Sequence, residues 1–174
     1  MSNINQHPVW LVYDELKTVR LNLYYYQYQI SRLKLIKRIF DITAALSTSS
    51  VFAGLWFWQT SIGNVAWKII IALAVVLADV VPFFKMDDLI KQKSEIFSGW
   101  RLIDDGFRKL RISIEEQKKY NDDMKKRFHE LLDLASEIYK KEEPEKPDKK
   151  LQSKCYEEVN IELPAESFFV PEEK

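Results

Sequence analysis

Apolar residues recur at alternating intervals of three and four near the start of the chain: Val9, Val12, Leu16, Val19, Leu23, Tyr26, Ile30 and Leu33. This spacing keeps them on one stripe of a helix, as at the a and d positions of a heptad. It predicts an amphipathic, coiled-coil-like helix over residues 1–38 whose seam needs a mate. The same rhythm returns at Leu89, Ile96, Trp100, Ile103, Phe107, Leu110 and Ile114, passes Gln117 and Asn121, and resumes at Met124, Phe128, Leu131, Ala135 and Ile138. The polar interruption gives residues 85–141 two readings. One is a continuous helix with a polar layer. The other is a break near Glu115–Asp123 into an antiparallel pair. Asn121-Asp122-Asp123 favours the break, since Asn caps helix starts and acids suit a first turn.

Between the two seams runs an apolar block from about Ile39 to Phe84. Ile42 to Gly63 is free of charge over 22 residues, enough to cross a hydrocarbon core of roughly 30 Å as a helix. A second apolar run, Val65 to Phe84, carries only Lys68 and Asp79. Trp56, Trp58 and Trp67 gather around the turn Gln59–Asn64, as an interfacial aromatic belt would. The pattern predicts a two-span hairpin over 39–84, with spans at about 39–60 and 65–84. Two buried helices of a soluble bundle are the alternative reading. Arg32, Lys34, Lys37 and Arg38 precede the block and Lys85, Lys91 and Lys93 follow it. By the positive-inside rule both termini then face the cytoplasm. The expected fold is thus an all-α membrane protein: an amphipathic lead helix, a transmembrane hairpin, and a long or broken cytoplasmic helical segment. Residues 142–174 are expected to be a charged linker, EEPEKPDKK, and a short tail. That tail is either disordered or a docking peptide anchored by Phe168 and Phe169.

Composition narrows the function. Lys plus Arg and Asp plus Glu both number 26, so bulk charge gives no argument for a polyanion partner. One cysteine and two histidines make neither a disulfide framework nor a metal cluster. No P-loop, dinucleotide turn or nucleophile elbow is present. The chain is therefore expected not to be an enzyme and to need no cofactor.

The apolar block supplies the remaining candidates. Thr43, Ser47, Ser50 and Gly54 lie on one helix face, either packed closely on a neighbour or lining a wetted path. Asp79 is an intramembrane carboxylate suited to a pore, and Pro82 after it is a hinge candidate. Asp41 is placed at the cytoplasmic mouth, either facing that path or paired with Lys37, Arg38 or Lys85. Two helices cannot enclose a pore, so conduction requires a homo-oligomer, taken as a tetramer. The seam residues Leu16, Val19, Leu23, Tyr26, Ile30, Leu33, Ile96, Trp100, Ile103, Phe107 and Leu110 are its candidate contacts.

From about Leu16 to Ile114 the layout, with ISRLKLIKR before the block and FFKMDDLIKQKSEIFSGWRLIDDGFRKL at its end, resembles the SLATT-type two-transmembrane effectors. The resemblance implies a bacterial inner-membrane effector of antiphage defence that assembles into a pore in membrane lipid. It also implies a trigger, a nucleotide or oligonucleotide signal from a partner nucleotidyltransferase. It brings no catalytic residues. The leading expectation is a pore-forming effector that depolarises the membrane. The alternative is a non-conducting anchor or scaffold that recruits a partner through its coiled-coil helices.

Overall fold

A computed structural model describes residues 7–48, 85–142 and 146–171. These residues form four α-helices: α1 (Val9–Thr48), α2 (Met86–Gln117), α3 (Asp122–Tyr139) and α4 (Lys149–Glu162), followed by a 3₁₀ turn at Ala165–Ser167. Each start has a local cause. The His7 ring accepts the Val9 N–H at 3.1 Å, and Pro8 beside it has no N–H to leave unpaired. Asp87 and Asp88 occupy the first turn of α2, where carboxylates complement the helix dipole. Asn121 caps α3 by accepting the Met124 N–H at 2.9 Å. Asp148 caps α4 through the N–H groups of Lys150 and Leu151.

The second seam is broken, not continuous. α2 stops at Gln117, Lys118 adopts φ 51°, and α3 begins after Asn121. Phe107 meets Phe128, Gly106 faces Leu131, and Gly99 faces Ile138. Partner numbers fall as α2 numbers rise, so α2 and α3 are antiparallel.

The chain divides into two compact units. The first comprises Met1–Tyr28 with Lys93–Lys174 and holds most of the core. Val9, Val12, Leu16 and Val19 of α1 are buried there with Ile96, Trp100, Ile103, Phe107, Leu110 and Ile114 of α2, and with Met124, Phe128, Leu131 and Ala135 of α3. The three-four periodicity is thus used inside the chain, and three stripes cover one another. At roughly 1.5–3 kcal/mol for each fully buried large apolar side chain, this core is the main stabilising term. α4 adds Cys155 and Val159, one turn apart on one face, and Leu163 follows at its end. The second unit, Gln29–Gln92, includes the C-terminal part of α1 and the start of α2, joined by an ion pair between Lys37 and Asp87.

Three sequence expectations need correction: the membrane-protein fold, the transmembrane ion-channel character, and the inner-membrane location with both termini cytoplasmic. Among the described residues no helix is long and apolar enough to cross a membrane. The expected start of the first span, Ile39, lies within the 40-residue α1. That helix is charged along its length, with Asp14, Lys17, Arg20, Arg32, Lys37 and Asp41 among its residues. The rest of the expected hairpin, with Ser50, Gly54, Asp79 and Pro82, lies outside the described residues.

The tail is a second departure. Residues 149–162 form a helix where the sequence suggested only a charged linker and a short tail. Tyr156 and Ile161 point outward, 59% and 81% exposed. The buried stripe is Cys155, Val159 and Leu163, spaced by four.

Candidate docking groove for the C-terminal segment

The polar chemistry of the first unit gathers where α1, α2 and α4 meet. Arg20 Nε donates to Asp104 Oδ1 at 2.7 Å and Nη2 donates to Oδ2 at 2.9 Å. Arg20 and Asp104 are only 7% and 3% exposed, so this bidentate pair sits in the interior. Arg20 Nη1 also reaches Glu162, and the Tyr24 hydroxyl donates to the other oxygen of that carboxylate. Burial opposes the Arg20 charge, but Asp104 and Glu162 outweigh it and hold the guanidinium above its ordinary value. Burial raises the Asp104 carboxyl above its ordinary value, with Arg20 opposing.

The tyrosine run continues this attachment of α4. Tyr28 donates to Glu158 at 2.7 Å and carries the Lys154 ammonium over its ring at 4.2 Å. The Asp148 N–H donates to the Tyr25 hydroxyl at 3.0 Å. Cys155, on the inner face of α4, is fully buried; burial pushes its thiol up from the ordinary value, and Glu158 adds to the shift. It is a core residue.

Past α4 the chain turns at Pro164 and lays its last described residues into a groove between α1 and α2. Phe168 stacks on Tyr13, ring centroids 4.2 Å apart and planes within 6° of parallel. Trp10 meets the Phe168 ring edge-on at 6.3 Å. The Arg111 guanidinium lies 4.9 Å and the Lys17 ammonium 5.6 Å from the same centroid, within cation–π range. The backbone is held as well: the Tyr13 hydroxyl donates to the Phe169 carbonyl, and Arg111 Nη2 donates to the Ser167 carbonyl at 3.0 Å. Burial pushes the Tyr13 hydroxyl up to about 12, with Glu115 adding and Arg111 opposing. Tyr13 therefore remains a donor at neutral pH. Beside the groove a cleft of about 260 Å³ is lined by Leu16, Arg20, Arg108, Arg111, Ile112, Glu115, Glu162 and Leu163.

Few of the sequence candidates meet here. Leu16 and Val19, with Ile96, Trp100, Ile103, Phe107 and Leu110, are buried in the chain's own core, and Leu23 and Tyr26 pack partly against it. Ile30 is buried and Leu33 half-buried in the second unit. Thr43 bonds back to the Ile39 carbonyl at 2.8 Å, so its hydroxyl is satisfied within its own helix. Asp41 is exposed and, with Lys37, Phe40, Lys85, Met86, Asp87 and Asp88, lines a cleft of about 260 Å³ in the second unit. Lys37, one of the counter-charges offered to Asp41, pairs with Asp87 instead. Ser47 lies in α1, but its side chain is outside the described set, as are Ser50, Gly54, Asp79 and Pro82.

Sequence reasoning missed Tyr13, Arg20, Asp104, Arg111 and Glu162. Tyr13 and Arg20 each follow a seam residue by one position, which places them at the margin of the buried stripe. Among the described residues no group of acids, histidines or cysteines is arranged to hold a metal ion. Comparison with known proteins gave no matching family model, no similar curated protein and no similar solved structure.

Proposed function

We propose that the chain is a non-enzymatic helical scaffold that recruits a protein partner, and that its C-terminal segment is a built-in ligand closing the docking groove. One observation carries this reading. Residues 167–170 are gripped as a peptide, by a ring in an aromatic and cationic cage and by side-chain donors on main-chain carbonyls. Side chains that hold another segment's backbone are a mode of peptide recognition. The polar groups around the groove are spent on one another: Arg20 on Asp104 and Glu162, Tyr24 on Glu162, Arg111 on Glu115 and Ser167. They serve attachment, and none is left poised as a general base beside a nucleophile.

Of the two functions the sequence suggested, an oligomeric pore needs spanning helices that the described residues do not supply. A recruiting scaffold, without the membrane anchor, needs only the bundle.

Partner recovery by the intact chain and by Phe168→Ala from host cells, quantified side by side, tests the reading. Releasing the segment is expected to increase recovery of at least one protein several-fold. Identical partner profiles for the two, with the variant folded, would contradict it.

A further inference from the structure

We infer that the groove between α1 and α2 is a binding site, usable in trans, for an acidic segment of a partner protein that turns and then extends through a phenylalanine anchor. The inference deepens the recruitment reading and rests on it, and the chain's own tail defines the chemistry. The anchor position takes a flat ring. Tyr13 covers one face of Phe168 at 4.2 Å, while Arg111 and Lys17 approach the ring at 4.9 and 5.6 Å. Such a cage favours the electron-rich face of an aromatic side chain over an aliphatic one.

The backbone contacts are indifferent to sequence, because Tyr13 and Arg111 bind the carbonyls of residues 169 and 167. Any segment that makes the same turn into extended backbone can offer carbonyls in the same places. The occupant is a 3₁₀ turn, Ala165–Ser167, that leads into extended backbone: Phe168 has φ −92° and ψ 128°. Pro164 precedes the turn, where a missing N–H costs nothing, and Pro171 opposes a helix beyond the anchor.

Charge supplies the third criterion. The groove contributes Lys17 and Arg111, and Arg108 stands in the adjoining cleft with its side chain 59% exposed. Glu115 and Glu162 line that cleft too, so the basic excess is modest. The occupant segment matches it, with Glu166 before the anchor and Glu172 and Glu173 after Pro171. A partner segment with a phenylalanine between acids would offer the same ring and carbonyls and the complementary sign of charge. The tail competes from a tethered position at an effective concentration of the order of millimolar, which keeps the groove closed until the tail is displaced or weakened.

A fluorescein-labelled peptide of sequence PAESFFVPEEK, titrated against the full chain and its full-length Phe168→Ala variant, tests this by anisotropy. The variant should bind it saturably and about tenfold or more tighter than the unaltered chain, because the tethered competitor has lost its anchor. Replacing the peptide's first phenylalanine by alanine, or adding Arg111→Glu to the variant, should abolish binding. Absence of saturable binding to a folded Phe168→Ala chain would overturn the inference. If that variant does not fold, the unaltered chain decides instead. Excess peptide should speed amide exchange at residues 167–170 by displacing the tail, and unchanged exchange at a hundredfold excess would overturn the proposal. A tail that opens on its own while the groove ignores the peptide would sink this inference and leave the recruitment reading intact.

Discussion

Arg20 and Asp104 share two hydrogen bonds inside the bundle, 2.7 and 2.9 Å long, although 84 positions separate them in the chain. The pair joins α1 to α2, and through Glu162 it also ties down the end of α4, immediately before the segment that enters the groove. Removing one member of a buried pair strands the other charge, whereas replacing both with apolar residues is often neutral. Arg20→Met should therefore lower unfolding stability by about 3 kcal/mol. Arg20→Met with Asp104→Leu should recover most of that loss. Urea denaturation of the unaltered chain, the single variants Arg20→Met and Asp104→Leu and the double variant checks the pattern, and additive losses would mean that the two residues are not energetically coupled.

α3 approaches α2 closely over two glycines. A Cβ at Gly106 would collide with Leu131, and one at Gly99 with the tip of Ile138. Leu131 is 1% exposed and has nowhere to go, whereas Ile138 is only partly buried. Gly106→Val should cost about 1–3 kcal/mol through overpacking. Gly99→Ala should be close to neutral, since a gain of up to about 1 kcal/mol in helix propensity offsets the shift of Ile138. Thermal melts of both variants test the contrast.

Tyr13 gives the fold an alkaline limit. Its hydroxyl is raised from 10.0 to about 12, so the fold favours the protonated phenol. The stability this confers is fully present below about pH 10 and is lost as the pH rises through about 12. Tyr24, Tyr120 and Tyr139 are raised as well, so the informative comparison is with Tyr13→Phe. That variant should be less stable at pH 7 by about 1 kcal/mol, having lost its bond to the Phe169 carbonyl. It should also show a shallower decline between pH 10 and 12. Chemical denaturation across that range is the measurement, and identical pH slopes would refute the assignment.

Much of this core could be read in the sequence because it follows helical periodicity. Leu16, Val19, Trp100, Ile103 and Phe107 stand where the three-four rhythm puts them, and Asn121 caps where its side chain suggested. The mate of each stripe was not legible, since periodicity specifies a face and not its partner; a seam reads the same whether it pairs with another chain or with its own. α4 was hidden because its exposed face carries Lys150, Lys154 and Glu157 and its buried face only Cys155 and Val159, with Leu163 just past its end. The choice between disorder and docking for the tail was open in sequence and depended on Tyr13 and Arg111, which no local pattern links to Phe168. The apolar block pointed to a hairpin through its length, hydropathy, clustered tryptophans and basic flanks, whereas among the described residues no helix is long and apolar enough to cross a membrane.

The central claim is that residues 164–171 form a releasable latch on a bundle that holds together without them. Native-state amide exchange, followed residue by residue, separates local opening from global unfolding. The account predicts that amides of 167–170 exchange through a local opening in the intact chain. In Phe168→Ala this exchange should accelerate by about tenfold or more, for a loss of about 1.4 kcal/mol or more, while Ile103, Phe107 and Leu131 keep most of their protection. Tail and core amides exchanging together, at one rate and with one response to Phe168→Ala, would show the segment to be an integral part of the core and would contradict the account.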